Sequence, residues 1–307
     1  MSENWERETL EKLAFSTLQE SRRARQWSIF FKSLTFVFLF GLLYLAFREN
    51  SEIGPKFSGK HTALIELKGP IAADTPASAE EIDSSLEDAF KDKDTQGVIL
   101  QIDSPGGSPV QAGQINDEIV KLRKRYPKIP LYAVVGDMCA SGAYYVAVAA
   151  DKIYVDKASL VGSIGVLMDG FGFTGTMQKL GVERRLLTAG ENKGFLDPFS
   201  PMSDKQKGYA LQMLEEIHQQ FIQAVRTGRG NRLKETPDMF SGLVWTGQKS
   251  LELGLADAFG TTDYVAKEVI GAEQIVDYSP RENIAMRFAK KFGVSMGSAL
   301  LQPMGLR

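Results

Sequence analysis

The 307-residue chain has one cysteine, Cys139, and two histidines, His61 and His218. A single cysteine excludes an intramolecular disulfide and a cysteine-built metal cage. Two histidines supply too few ligands for a zinc site, so no metal is expected, and no organic cofactor either. The shortage of histidine also limits catalysis. His61 precedes the first apolar strand and His218 falls within a helix, so neither is placed to serve as the base for a serine. The formal net charge of −2 lacks the basic excess of a general nucleic-acid binder. No internal repeat is found. The hydrophobic content of 43% is enough for one sizeable core.

The longest apolar feature lies near the N-terminus. Residues 33–47 are uncharged, aromatic and aliphatic, and residues 27–31 extend the run upstream across Lys32. Residues 27–47 match the ~20 needed to cross a bilayer, with Lys32 near one end, where its stem can snorkel. Arg22, Arg23 and Arg25 precede the run; after it Arg48 is offset by Glu49 and Glu52. The basic side is expected to stay cytoplasmic and the body to face the other side of the membrane. Ala46-Phe47-Arg48 is a poor cleavage site, which predicts an uncleaved, single-pass signal anchor.

Around that anchor the chain reads as a cytoplasmic tail (1–26), the span (27–47), a linker (48–60), a soluble domain (61–284) and a basic C-terminal tail (285–307). Within the domain, strands are predicted over 62–67, 97–102, 131–135 and 152–155. Helices are predicted over 78–91, 114–125, 141–150 and 203–226, the last opened by a capping box from Ser203 to Gln206, with shorter ones at 251–254 and 262–270. Alternating strands and helices predict an α/β domain with parallel pairing and right-handed crossovers.

Three loops carry candidate chemistry. Ser141 follows an apolar strand and opens a small-residue helix, a place where a nucleophile can face unpaired backbone N–H groups. The turn Asp103-Ser104-Pro105-Gly106-Gly107-Ser108 follows the strand before it, and its glycines allow the backbone to come close to a ligand. The N–H groups of Gly107 and Gly142 are candidates for an oxyanion hole, with Gly106 or Ser108 able to take the place of Gly107. With no histidine available, the proton of Ser141 needs another acceptor, and a lysine is the candidate. Lys193 lies in the loop Thr188-Ala189-Gly190-Glu191-Asn192-Lys193-Gly194-Phe195. A lysine acts as a base only when neutral, which requires desolvation, and Phe195 and Phe199 flank it. Each loop also has a plain structural reading: a helix-capping serine, an ordinary turn, a solvated lysine.

The order of motifs separates these readings. Ala140-Ser141-Gly142-Ala143-Tyr144-Tyr145, the Ser-Pro-Gly-Gly turn, Val161-Gly162-Ser163-Ile164-Gly165-Val166, Leu243-Val244-Trp245-Thr246-Gly247 and Gly254-Leu255-Ala256-Asp257 together resemble the signal peptide peptidase A family, the membrane-anchored serine proteases of bacteria. The resemblance covers roughly residues 60–265, in the short, single-module form. It implies a repeated ββα superhelix related to ClpP and crotonase, and a Ser/Lys dyad with Ser141 as nucleophile and Lys193 as general base. It further implies that Ser163 orients the lysine and that Gly107 and Gly142 form the oxyanion hole. Leu160, Val161, Ile164 and Val166 are candidate cleft residues, each equally readable as core. The implied substrates are remnant signal peptides and similar apolar peptides. The implied location is the bacterial inner membrane, with the catalytic domain outside the cytoplasm. A single module implies a ring-like homo-oligomer in which Lys193 can act on a neighbour's Ser141. Two other readings remain: a crotonase-type acyl-CoA enzyme, which would need no anchor, and an inactive membrane scaffold. Cys139, two residues before Ser141, reads as a core residue.

Overall fold

The computed structural model describes residues 3–50 and 59–280. The chain divides into two compact units, residues 57–283 and the remainder. The remainder contains one long helix, α1 (Glu3–Asn50). Between Trp27 and Tyr44 the large apolar side chains that are described are more than half exposed, including Phe30, Phe36, Val37, Phe38 and Phe40. Their ring contacts are with each other, as in Trp27 stacked on Phe31. Among the described residues, no helix is long and apolar enough to cross a membrane. The expected 27–47 span runs through residues 42, 43 and 45–47, whose side chains lie outside the described set, as does the expected basic tail at 285–307.

The centre of the other unit is formed by β1 (His61–Lys68), β2 (Thr95–Ser104) and β3 (Leu131–Ala140), paired in parallel. Val98, Ile99, Leu100 and Ile102 of β2 are fully buried, as expected of a parallel strand covered on both faces. The outer strands are β4 (Lys152–Val155), β5 (Leu160–Gly162), β6 (Val244–Thr246), β7 (Ala258–Phe259) and β8 (Ile275–Asp277). The sheet runs β6-β5-β3-β2-β1-β8, with β4 joining β3 to β7; among the described residues only β5 and β6 pair antiparallel. The larger core lies under α2 (Ala79–Lys91), α3 (Pro109–Arg125), α4 (Gly142–Ala147) and α6 (Asp204–Arg229). A smaller cluster of Ile99, Val134, Tyr154, Val265 and Ala266 covers the opposite face.

β3 is longer than the predicted strand, and its extension creates the site. Tyr132, Ala133 and Val134 pair with β4, whereas Met138, Cys139 and Ala140 pair with β5. The sheet therefore forks near Gly136, whose carbonyl accepts the Ser159 hydroxyl at 2.6 Å. The second branch carries the chain to Ser141.

Helix boundaries follow local capping. α3 begins earlier than predicted because Ser108 caps it and Pro109 opens it, a position where the missing N–H costs nothing. The predicted helix 141–150 is shorter, Gly142–Ala147. α6 starts with the expected capping box between Ser203 and Gln206 and runs on to Arg229. There Arg229, 1% exposed, makes a two-pronged ion pair with Asp257 at 2.8 and 2.9 Å. The same carboxylate accepts the Ile153 N–H at 2.7 Å, joining α6 to β4. The short helix expected at 251–254 is instead α7 (Gly247–Glu252). The one expected at 262–270 is split into α8 (Thr262–Tyr264) and a π-helical turn, Val265–Ile270.

One segment differs in character. All residues from 165 to 220 are described, and none is buried. It includes α5 (Thr174–Leu180) and exposes Leu167, Phe171, Leu180 and Leu187, the last almost completely.

Candidate active site

Two turns at the C-terminal ends of adjacent parallel strands form the site. Ser104, at the end of β2, lies in register with Cys139 near the end of β3, so the chain segments leaving the two strands run side by side. Ser141 has φ 54° and ψ −125°, a conformation that L residues rarely adopt. Its side chain makes no capping bond to α4, so it is not the ordinary helix cap. Its N–H donates to the Gly162 carbonyl at 2.8 Å, and its carbonyl accepts from Tyr144 and Tyr145. α4 is itself held in place: the Tyr144 hydroxyl donates to the Leu255 carbonyl at 2.8 Å, and Asn116 Nδ2 donates to the Tyr145 carbonyl at 2.7 Å.

The glycine turn packs directly on this elbow. A Cβ on Gly106 would lie 2.6 Å from both the Ala140 oxygen and the Gly142 nitrogen. A Cβ on Gly142 would lie 3.2 Å from the Gly107 nitrogen, so the two candidate oxyanion donors are neighbours. The Gly106 carbonyl accepts the Ile71 N–H at 2.9 Å, and the Ser108 N–H donates to the Ile71 carbonyl at 2.9 Å. In a trans peptide the N–H points away from the C=O. Anchoring the Gly106 carbonyl on Ile71 therefore aims the Gly107 N–H the other way. Among the described residues, the N–H groups of Gly107 and Gly142 have no acceptor, whereas those of Gly106, Ser108 and Ser141 do.

Ser141, Gly107, Gly142 and Ser163 line one cavity of about 770 Å³. Its apolar wall comes from Val110, Val166, Leu167, Ile217 and Phe221, with Tyr145 at the side. Ser163 also has a positive φ, 52°, and is held through its N–H to the Leu243 carbonyl at 2.8 Å. Of the four apolar cleft residues expected from the sequence, Val166 lines this cavity. Val161, in the middle of β5, and Ile164, two residues beyond its end, are both fully buried in the main core cluster rather than on the cavity. Leu160 lines a separate groove with Ser159 and Phe259. The α6 residues Ile217 and Phe221 were not singled out in the sequence; their only signal is the apolar face of α6, which any packed helix shares.

Lys193 is exposed and lies off the cavity, so one chain does not bring it to Ser141. Phe195 packs edge-on against Tyr209, and Phe199 stacks on Phe173 with the Arg184 guanidinium over its ring. The histidines are engaged elsewhere: His61 contacts Tyr278 at 3.1 Å, and His218 contacts the Ile164 carbonyl at 3.2 Å. Cys139 is buried, and burial pushes its thiol well above the ordinary range, leaving an unreactive core residue. Among the described residues, no cluster of three or more metal-binding side chains occurs.

Residues 123–275 match the family model described as peptidase family S49. Over 221 residues, 71% of this chain, the sequence is 41% identical to the Na(+)/H(+) antiporter NhaA of Brucella abortus, and it spans 29% of that protein's length. A Methanocaldococcus jannaschii protein provisionally named a protease is 32% identical over 220 residues, covering 69% of this chain and 70% of that protein. An Enterococcus faecium protein provisionally named signal peptide peptidase SppA is 26% identical over 226 residues, covering 73% of this chain and 64% of that protein.

Proposed function

Because the chain belongs to peptidase family S49, we propose that it is a serine endopeptidase with Ser141 as nucleophile. The observation that carries this reading is the strained Ser141 turn, set beside two acceptor-free N–H groups at the head of an apolar cavity. Ser141 Oγ attacks a peptide carbonyl, and the Gly107 and Gly142 N–H groups stabilise the tetrahedral oxyanion. Neutral Lys193 accepts the serine proton and returns it to the leaving amine, giving an acyl-enzyme that water releases. Ser163, on the same cavity, orients the lysine.

Two features support assembly through the exposed segment. Lys193 lies on a stretch of chain without a buried residue, and that stretch displays large apolar side chains. In this reading the segment docks on a second copy and carries Lys193 to the neighbour's Ser141, closing a homo-oligomeric ring. The strand-and-helix repeat with a forked sheet is consistent with a superhelix of the ClpP and crotonase kind. The described apolar residues of α1 between Trp27 and Tyr44, exposed around the helix, fit a lipid environment. With Arg22, Arg23 and Arg25 before them, they support a single-pass anchor with the domain outside the cytoplasm. An apolar cavity beside a membrane suits remnant signal peptides and similar apolar segments.

The test is hydrolysis of a fluorogenic apolar peptide by the wild type, Ser141→Ala and Lys193→Ala. Loss in both variants with folding intact supports the dyad. Activity that survives Lys193→Ala removes the lysine from its role. A wild type that neither turns over peptide nor reacts with a serine-directed probe favours a scaffold.

A further inference from the structure

We infer that Ser104 is a positioning residue for the oxyanion hole: its buried hydroxyl fixes the plane of the glycine turn and so aims the Gly107 N–H. This rests on the peptidase reading given above.

Ser104 is the last residue of β2 and has no exposed surface. A hydroxyl there needs partners, because burying it unpaired is costly. It has two. Its Oγ–H donates to the Gly69 carbonyl at 2.6 Å, and the same oxygen accepts the Gly106 N–H at 3.1 Å. The direction of each bond is fixed, since a carbonyl only accepts and an N–H only donates. The hydroxyl therefore ties the turn leaving β2 to the turn leaving β1. A backbone bond from the Gly69 N–H to the Asp103 carbonyl at 3.0 Å runs parallel to it.

The consequence for chemistry follows along the chain. The Gly106 N–H is held by Ser104 and the Gly106 carbonyl by the Ile71 N–H. Gly106 is thus pinned at both of its peptide units, and the second of these carries the Gly107 N–H. Glycine needs this restraint: Gly106 (φ +93°) and Gly107 (φ +154°) occupy regions that other residues avoid, and the same freedom would let the peptide rotate. The Gly106 backbone also lies against Ser141, so a small shift changes the donor's position relative to the nucleophile. Ser104 touches neither the cavity nor a reacting atom, and its effect passes through Gly106.

The experiment compares Ser104→Ala, which deletes the hydroxyl, with Ser104→Thr, which keeps it, in the full chain. For Ser104→Ala, kcat on an apolar peptide is expected to fall about 10- to 100-fold with KM within about twofold, less than the loss of a whole oxyanion donor. Affinity for a peptide boronate, whose tetrahedral adduct occupies the hole, should fall in parallel, while a non-cleaved product peptide binds as before. Ser104→Thr should recover most of kcat. If the alanine variant does not fold, Ser104→Cys, similar in volume but a poor donor, takes its place. A kcat within about twofold of the wild type, or equal losses of boronate and product affinity, would overturn the inference. Amide hydrogen exchange at Gly106, whose N–H is bonded to Ser104, provides a readout without turnover: at least tenfold faster exchange in the variant supports the role, and unchanged exchange overturns it. A wild type without peptidase activity would count against the peptidase reading, whereas the exchange result would still decide the role of Ser104.

Discussion

Ser141 donates its backbone N–H to the Gly162 carbonyl at 2.8 Å, which joins the turn of the nucleophile to the turn that carries Ser163. Both serines have positive φ, 54° and 52°. Two strained residues side by side are maintained by their neighbours, because each such residue costs on the order of 1–3 kcal/mol.

The first prediction follows from that strain. Glycine adopts φ 54°, ψ −125° readily, and the Ser141 side chain makes no capping bond that would be lost. Ser141→Gly should therefore abolish peptide hydrolysis and raise stability by about 1 kcal/mol, whereas Ser141→Ala should abolish hydrolysis with little change in stability. Thermal midpoints and turnover of the two variants check this; a Ser141→Gly variant less stable than the alanine variant would show that the turn is not strained.

The glycine turn should be intolerant of side chains, for a different reason. A Cβ on Gly107 would stand 2.1 Å from the Ile71 oxygen, a backbone atom that cannot swing aside. Gly107→Ala should break the pairing of Ile71 with the turn and cost about 2 kcal/mol or more, with activity lost. Gly113 of α3 lines the cavity but has open space where a Cβ would go, and Gly113→Ala should leave stability unchanged or slightly raised. Urea unfolding of the two variants provides the comparison.

The sequence makes the site legible to the extent that its chemistry is local. Ser141 and the glycine turn stand where strands end, and strand ends can be read from apolar runs. The central strands and the capping box at Ser203 are legible for the same reason. The fork in β3 is not, because it depends on two different neighbours, β4 and β5, competing for one edge. β5, β6 and β7 are too short, at two or three residues, to leave a periodic signal. Leu160, Val161 and Ile164 read as cleft candidates because they are apolar and near the site, but apolar character does not distinguish core from cavity. Ser104 passes as a turn residue until its two partners, Gly69 and Gly106, are in view.

A pair of carboxyls between α2 and α3 predicts a pH response. Asp83 is pushed up to about 7, first by burial and then by the nearby charge of Glu118, with Lys121 opposing and Glu87 adding to the rise. One oxygen of Asp83 and one of Glu118 are buried without a partner, while the other Glu118 oxygen pairs with Lys121 at 2.6 Å. A carboxyl that holds its proton more tightly when folded stabilises the fold at low pH. That contribution fades as pH rises from the unfolded value of about 4 to the folded value of about 7. Asp83→Asn should remove this loss. It should stabilise the protein at pH 8 by about 1 kcal/mol, a figure discounted because the group keeps contact with solvent, and have little effect near pH 4. Equal effects at both pH values in thermal unfolding would refute it.

The most demanding prediction concerns two chains at once. Within one chain Lys193 is exposed and absent from the cavity that Ser141 lines. If the segment from 165 to 202 docks on a neighbour, a chain lacking the serine and a chain lacking the lysine can still build one complete site between them. Inactive Ser141→Ala and inactive Lys193→Ala proteins should regain part of the wild-type rate when dissociated, mixed and reassembled, near one quarter if pairing is random and each site draws on two chains. Leu187→Glu places a charge on a side chain that is 96% exposed. It should leave the folded chain intact, lower the oligomeric state seen by sedimentation and remove activity in proportion. Burial against a partner makes that outcome costly for a charge, whereas a solvated surface leucine would tolerate it. A mixture that stays inactive while fully reassembled would place both members of the dyad in one chain, and the exposed segment would then have to fold back over its own cavity.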